Sequence, residues 1–296
     1  MKAVAGLGLG LLAVVSVTAT ELTIATYNIE NYVSTDRLIP AGYRKDYPKP
    51  ESAKAALREV IRDLNADVLV LQEMGPRPYL EELRRDLAVL GVNYDQAVLL
   101  EAADPDRHVA VLSRRVFTKI NLHTDLKFKY LDGVETVKRG LLELSLETPS
   151  GELTLWSLHL KSRYTDNKAD PESTKRRAGE AMAIREHILA HTPEPRTDRF
   201  IILGDFNDVK SSAAVRYLTK RGAMKFARLL PAADDHGEHW TYHYRREDAY
   251  TRVDHILVSA GLRSAVKAGT AKIFGGEKVA LASDHRPVRV TLEWKD

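Results

Sequence analysis

The stretch FIILGDFNDV, residues 200–209, decides how the rest of the chain is read. Phe200, Ile201, Ile202 and Leu203 form an unbroken apolar run, which predicts a strand buried on both faces. Gly204 permits a close backbone turn, and Asp205, Asn207 and Asp208 then present hydrogen-bonding and metal-capable oxygens in quick succession. Asp208 is expected to cap a helix starting near Ser211. A buried strand with such an end is either a tight turn or the wall of a site, and the other strands decide between them.

Comparable apolar runs recur along the chain: LTIATYNI (22–29), DVLVLQE (67–73), HVAVLS (108–113), LLELSLE (141–147), LTLWSLHL (153–160), VDHILVS (253–259) and VRVTLEW (288–294). Helical spacing appears between some of them. Ala53, Ala56, Leu57, Val60, Ile61 and Leu64 follow Pro50, a residue suited to a first helical turn. Leu80, Leu83, Leu87 and Leu90 form a second stripe, and Ala178, Ala181, Met182, Arg185, Ile188 and Leu189 a third. Strands and helices mixed in this way predict a layered α/β fold with helices outside. In two places an amphipathic helix feeds a buried strand, which predicts two sheets of related build with Glu73 and Asp205 at corresponding tips. Residues 33–50 (VSTDRLIPAGYRKDYPKP) are read as a long loop hanging over the site, with Tyr43, Arg44, Lys45 and Tyr47 as a basic, aromatic patch. The segment 191–199 (HTPEPRTDR) is read as a connector.

The chain begins with one charge at Lys2, an apolar run, and small residues at Val17 and Ala19. This predicts a secretory signal over residues 1–19; the run is shorter than the ~20 residues a membrane-spanning helix needs. The expected location is therefore secreted or periplasmic, with no stable membrane insertion after cleavage and with residues 20–296 as one monomeric domain. The balance of 44 Lys and Arg against 41 Asp and Glu, net +3, does not by itself predict a polyanionic partner. There is no cysteine, which excludes disulfides, thiolate metal sites, cysteine nucleophiles and iron–sulfur clusters.

Polar residues occupy the strand ends. Asn28 follows IATY, Glu73 follows VLVLQ, His159 lies in WSLHL, and Asp205 and Asn207 follow IILG; Asp254 opens HILVS, while Asp284 and His285 lie in ASDHRPV. Each alone is most simply a turn former, a cap or a satisfied core histidine. Together they place charge against apolar sequence, where an unpaired charge costs roughly several kcal/mol and a divalent cation would balance it. That chemistry suits phosphoester hydrolysis. Oxygen ligands at Asn28, Glu73 and Asp284 fit Mg²⁺, with Mn²⁺ or Ca²⁺ as alternatives. Asp205 can activate and aim the attacking water, and Asn207 can hold the water or the phosphate. His159 and His285 can donate hydrogen bonds to phosphate oxygens. Asp254 is placed to keep one of those histidines protonated.

The ordered set TYNIEN, LQE, SLHLKSR, GDFND, RVDHILVS and ASDHRPV resembles the motifs of the endonuclease/exonuclease/phosphatase superfamily, which includes deoxyribonuclease I, abasic-site endonucleases, neutral sphingomyelinases and inositol-polyphosphate phosphatases. The resemblance covers nearly all of the chain after residue 19. It implies a four-layer α/β/β/α sandwich of two packed mixed sheets flanked by helices, with one metal-dependent site at the rim where the sheets meet. It implies metal binding at Glu73, with Asn28 and Asp284 in or near the ligand shell. Asp205 and Asn207 would lie at the water and scissile phosphate, His159 and His285 on phosphate oxygens, and Asp254 on His285. It also places Arg139 where some members bind phosphate; the other reading of Arg139 is a surface residue beside a glycine turn. The chain lacks the disulfides of secreted deoxyribonuclease I-like enzymes and a counterpart of the aromatic base-wedging loops of abasic-site enzymes.

Lys161 and Arg163 follow His159, with Lys168, Lys175, Arg176 and Arg177 further on, and Tyr164 can stack on a base. The cluster either follows a nucleic-acid backbone or forms the solvated start of a helix neutralised by Asp166, Asp170, Glu172 and Glu180. The expected function is an exported, metal-dependent phosphodiesterase acting on nucleic acid. A hydrolase of phospholipid headgroups or small phosphomonoesters is the alternative, and no apolar lipid-binding loop is evident in the sequence. A noncatalytic binder on the same scaffold is disfavoured because every expected catalytic residue type is present.

Overall fold

The computed structural model describes residues 20–39 and 41–294, so the expected signal over residues 1–19 lies outside the described residues. The apolar runs pair into two six-stranded mixed sheets. The first has the order Lys272–Ile273, Val288–Trp294, Thr20–Tyr32, Val68–Met74, His108–Ser113, Gln96–Leu100. The second has the order Ala227–Leu229, Asp254–Ser259, Phe200–Asp205, Gly151–His159, Leu141–Thr148, Lys119–His123.

Both sheets are built on one plan. Thr20–Tyr32 and Val68–Met74 run parallel, joined across helix Glu51–Leu64, and an antiparallel strand lies on either side. Gly151–His159 and Phe200–Asp205 likewise run parallel, joined across helix Thr174–Ala190, between antiparallel neighbours. Glu73 and Asp205 stand at corresponding tips, as the repeated helix–strand pattern predicts.

Three apolar layers hold this arrangement together. Ile24, Val68 and Val70 of the first sheet pack against Leu144, Leu155, Ile201 and Leu203 of the second. Leu57, Ile61, Leu83 and Leu87 cover the outer face of the first sheet, and Ile184 and Ile188 cover Trp156, Phe200 and Ile202 on the second. The result is an α/β/β/α sandwich. Each fully buried Leu, Ile or Val is worth about 1.5–3 kcal/mol, so a chain without cysteines has ample stabilisation from its cores. Among the described residues no helix is long and apolar enough to cross a membrane.

Several local expectations need correction. Helix Glu51–Leu64 buries all six predicted residues and ends at Asn65 in the left-handed region. Helix Arg77–Val89, however, stops before Leu90, which is exposed. In helix Thr174–Ala190 the inward face includes Arg177, Glu180 and Arg185, while Met182 is exposed. Residues 33–50 are not simply a loop: Thr35–Ile39 and Gly42–Tyr47 form a hairpin, with the Asp46 N–H donating to Asp36 Oδ1 at 3.1 Å.

Asp208 does not cap the helix that follows. That helix is Ala213–Tyr217, capped by Ser212, whose Oγ accepts from the Val215 N–H at 3.2 Å. Gly204 lies inside its strand rather than at a turn. Its φ is 143°, and a Cβ there would sit 1.9 Å from the Leu158 carbonyl oxygen of the neighbouring strand. Glycine is required because the two backbones approach so closely.

Candidate active site

His159 and Asp205 are the last residues of adjacent parallel strands and stand opposite one another; Asp254 stands opposite Asp205 on its other side. Strand pairing alone thus sets these three in one row at the edge of the second sheet. Asn28 and Glu73 come from the corresponding edge of the first sheet. The buried Asn28 amide joins the two edges, its Nδ2 donating to Asp205 Oδ2 at 3.0 Å and to Glu73 Oε1 at 3.3 Å. Its Oδ1 accepts from the Glu30 N–H at 3.1 Å, so in this orientation it serves the carboxylates as a donor.

The segment carrying Asp284 and His285 is fastened to the same place. Ser283 Oγ donates to the Asn28 carbonyl at 2.8 Å and accepts from the His285 N–H at 3.0 Å. The Asp284 N–H donates to Glu30 Oε2 at 3.1 Å, and the Asn31 N–H to Glu73 Oε2 at 2.9 Å. Glu30, Asn31, Glu73 and Asn207 all have left-handed backbones, with φ of 46°, 53°, 63° and 50°. Strain of about 1–3 kcal/mol per such residue persists only where its surroundings enforce it, and here it gathers around one constellation.

Asp205 is held from several directions. Besides Asn28, its Oδ1 accepts from the Asn207 N–H at 2.7 Å and its Oδ2 from Asn207 Nδ2 at 3.2 Å. Asn207 Nδ2 also donates to the Leu160 carbonyl at 3.0 Å. Burial, and then the Asp254 charge, push the Asp205 carboxyl up to about 7 against the pull of His285 and these hydrogen bonds.

His285 Nδ1 lies 2.9 Å from Asp254 Oδ2. Burial opposes charge on this ring, but Asp254 and Asp205 outweigh it and raise His285 well above the usual histidine range. The two carboxylates thus favour the protonated ring. His159 has the opposite character: burial, then Arg139, His285, Arg107 and Lys161, hold it well below that range. Neither of its ring nitrogens has a hydrogen-bond partner among the described residues, and Nε2 is 3.5 Å from Asp205 Oδ2. A neutral, buried, unpartnered imidazole is available to a ligand.

Among the described residues one group of donors converges closely enough to hold a cation. One oxygen each of Asp205 and Asp254 and a nitrogen of His285 lie within 4.8 Å of one another, but the His285–Asp254 hydrogen bond already uses that arrangement. Glu30, Glu73 and Asp284 do not converge in that way, although the two glutamates act electrostatically on Asp284. Asp284 is pushed up to about 7, first by burial; the charges of Glu30 and Glu73 add to this, while His285 and Arg245 oppose it. Carboxylates crowded in this way favour an added cation.

Cations line the approach. Arg139 is buried, which removes the surface reading; its Nε donates to Asp104 Oδ2 at 3.0 Å and its Nη1 to the Leu160 carbonyl at 3.5 Å. The Lys161 N–H donates to Glu180 Oε2 at 2.8 Å. Burial, then Arg139, Lys138 and Arg176, push the Lys161 ammonium down to about 8. Arg163 is exposed. Of the rest of the predicted basic cluster, Lys168 and Lys175 are exposed, whereas Arg176 and Arg177 are taken up in structural contacts. Arg177 is buried against Asp208 at 3.1 Å, and Arg176 pairs with Glu135 and lies 4.7 Å over the Tyr130 ring.

Sequence reasoning missed Glu30, Arg107 and Tyr242. Glu30 has a signal in its position two residues after Asn28 at the same strand end. Arg107, whose Nε donates to Asn31 Oδ1 at 2.6 Å, comes from a loop and has none. Tyr242, whose ring centroid is 4.7 Å from that of His285, also has none.

Residues 25–285 match the Endonuclease/Exonuclease/phosphatase family. No curated protein matches the chain. Among solved structures, truncated TDP2 of Caenorhabditis elegans is 16% identical, with 92% of this chain and 97% of that one covered at a TM-score of 0.61. The endonuclease/exonuclease/phosphatase from Bacteroides vulgatus is 16% identical over 94% of this chain and 100% of that one, at 0.63. The human Nocturnin catalytic domain with bound sulfate anion is 16% identical over 95% and 98%, at 0.62. At these identities the likeness is one of fold.

Proposed function

This chain belongs to the endonuclease/exonuclease/phosphatase family, and from that premise we propose that it is an exported, Mg²⁺-dependent phosphodiesterase acting on nucleic acid. The observation that carries the reading is the buried Asp205, held by Asn28 and Asn207 in one row with His159 and the Asp254–His285 pair.

The donors fit a hard cation: Glu73 and Asp284, with Glu30 beside them, offer oxygens only, whereas Asn28 turns its Nδ2 toward Glu73; the Asp284 carboxyl is raised by burial first and then by the neighbouring negative charge, which a cation would balance. When bound, Mg²⁺ would neutralise phosphate oxygens and stabilise charge on the leaving oxygen. In this reading Asp205 takes the proton of the attacking water as its oxygen closes on phosphorus. Asn207 and Asn28 hold the Asp205 carboxylate in one orientation. The His285 imidazolium, kept charged by Asp254, donates to a non-bridging phosphate oxygen, and neutral His159 donates to another. Arg139 and Lys161 draw the anionic substrate in.

Arg107, Arg139 and Lys161 all act electrostatically on His159, a concentration of positive charge suited to a polyanion although the chain as a whole is nearly neutral. Human Nocturnin, which shares the fold, holds a sulfate, a tetrahedral anion like phosphate. A second reading rests on the hairpin Thr35–Ile39 and Gly42–Tyr47, where Leu38 is 84% and Tyr43 56% exposed beside Arg44 and Lys45. An apolar tip with basic neighbours suits a phospholipid surface.

The test is incubation of the protein and Mg²⁺ with plasmid DNA, RNA, sphingomyelin vesicles and a phosphomonoester, with Asp205→Ala as control. Cleavage of DNA or RNA, falling steeply with salt, is the expected result. Turnover of the lipid or monoester alone would overturn the nucleic-acid assignment.

A further inference from the structure

A cluster of three histidine rings lies on the helix-covered face of the second sheet. His123 ends the edge strand Lys119–His123, while His187 and His191 stand one turn apart at the end of helix Thr174–Ala190. Ring centroids are 4.1 Å apart for His123 and His187, 4.2 Å for His187 and His191, and 6.1 Å for His123 and His191. Trp156 floors the group, at 6.0 Å from His187.

The hydrogen bonds sort the ring nitrogens. His123 Nε2 lies 2.9 Å from Glu143 Oε2, and that buried carboxylate is itself held by Lys119 Nζ at 2.6 Å and Asn121 Nδ2 at 2.8 Å. His191 Nδ1 lies 2.9 Å from the His187 carbonyl oxygen. In both rings the nitrogen facing an oxygen acceptor must carry the proton, which leaves a lone pair on His123 Nδ1 and on His191 Nε2. His187 Nε2 is buried and has no hydrogen-bond partner among the described residues. A buried polar atom left unpaired costs about 1–3 kcal/mol. A carboxylate behind a histidine, fixing its tautomer, is the usual setting of a metal-binding imidazole.

We propose that His123, His187 and His191 form a site for a borderline transition-metal ion of the Zn²⁺ class, separate from the hydrolytic centre. Imidazole donors select such an ion over Mg²⁺, whose partners are oxygens. Ligands about 2.0–2.1 Å from one ion place their nitrogens roughly 3.3 Å apart; the three rings do not offer nitrogens within 4.8 Å of one another as they stand, so binding requires them to turn about their side-chain torsions. A water completes the shell. Two of the ligands come from the helix and one from the edge strand, so the ion would fasten that helix to the sheet it covers.

The test is Zn²⁺ titration of the metal-stripped protein against a chromophoric chelator, with millimolar Mg²⁺ present and the Glu73→Gln/Asp284→Asn variant in parallel. One equivalent of Zn²⁺ bound by both proteins is expected, with affinity falling at least about 30-fold in His187→Ala and in His191→Gln. The Co²⁺ form should show visible absorption typical of a four-coordinate imidazole site, lost in the same variants. Because His191 is exposed, His191→Gln keeps the test decisive if His187→Ala fails to fold. Zn²⁺ uptake unchanged in a folded His191→Gln protein, or uptake lost in the Glu73→Gln/Asp284→Asn variant, would overturn the proposal.

Discussion

Asn28 Nδ2 donates to Asp205 Oδ2 at 3.0 Å across 177 positions of sequence, both side chains buried, and thereby ties the edge of one sheet to the edge of the other. The same amide reaches Glu73, so one side chain orients a carboxylate from each sheet.

Asn28→Ala is therefore expected to lower kcat by about 10²–10³-fold, because general-base catalysis depends on the carboxylate's placement, with a smaller change in KM. The buried acceptors it leaves unmade should cost about 1–3 kcal/mol of stability. Steady-state kinetics and urea unfolding read the two effects separately.

Asp205 and Asp284 each titrate near 7 in the folded chain, against about 3.9 for an unfolded aspartate. Between these values the folded state keeps protons that the unfolded state has lost. Stability therefore falls as pH rises through that window, and the deficit is complete above about 7. Asp205→Asn and Asp284→Asn should accordingly raise Tm near pH 8 without divalent ions and leave it unchanged near pH 4. Thermal unfolding at the two pH values checks this. Mg²⁺ should raise the Tm of the unsubstituted protein and not that of Asp284→Asn.

His285 is held protonated mainly by Asp254, 2.9 Å away. Its raised value means that the pair's contribution is complete below about 6.5, the unfolded histidine value, and is lost only as pH rises through the higher folded value. Asp254→Asn removes the compensating charge. Its activity should then fall with rising pH from near neutrality, where the unsubstituted protein holds a plateau, and a pH–rate profile of both proteins separates them.

Arg177 is buried against Asp208 and also donates to the Glu172 carbonyl at 2.8 Å. Arg177→Ala strands a largely buried carboxylate and should cost about 3–5 kcal/mol, whereas replacing both partners with apolar residues of similar volume should recover most of that. Denaturant titration of the single and double variants gives the comparison.

Much of this was legible because buried parallel strands write continuous apolar runs: Phe200–Asp205 and Val68–Met74 announce themselves, and the polar residues that end them form the candidate site. The hairpin of Thr35–Ile39 and Gly42–Tyr47 was not, since neither strand buries a full face: the first is only half-buried on one side, by Thr35, Arg37 and Ile39, and the second is almost wholly exposed, so there is no apolar alternation to read. The inward face of helix Thr174–Ala190 was misread because it buries Arg177 and Glu180, whose charges are satisfied by groups from other segments. Arg107 meets Asn31 across 76 positions, a contact that only the folded chain creates. Gly204 was recognised as necessary, but the cause is the Leu158 carbonyl of the adjacent strand and not a turn.

The central claim is that strand ends from two sheets place Asp205 against a single phosphodiester. Its most direct measurement is hydrolysis of bis(p-nitrophenyl) phosphate in Mg²⁺ by the unsubstituted protein and by Asp205→Asn, with folding of both verified by circular dichroism. The predicted result is a loss of about 10³-fold or more in kcat, within the range for removing a general base, with the Mg²⁺ concentration dependence unchanged. Activity of folded Asp205→Asn within tenfold of the unsubstituted protein would contradict the account.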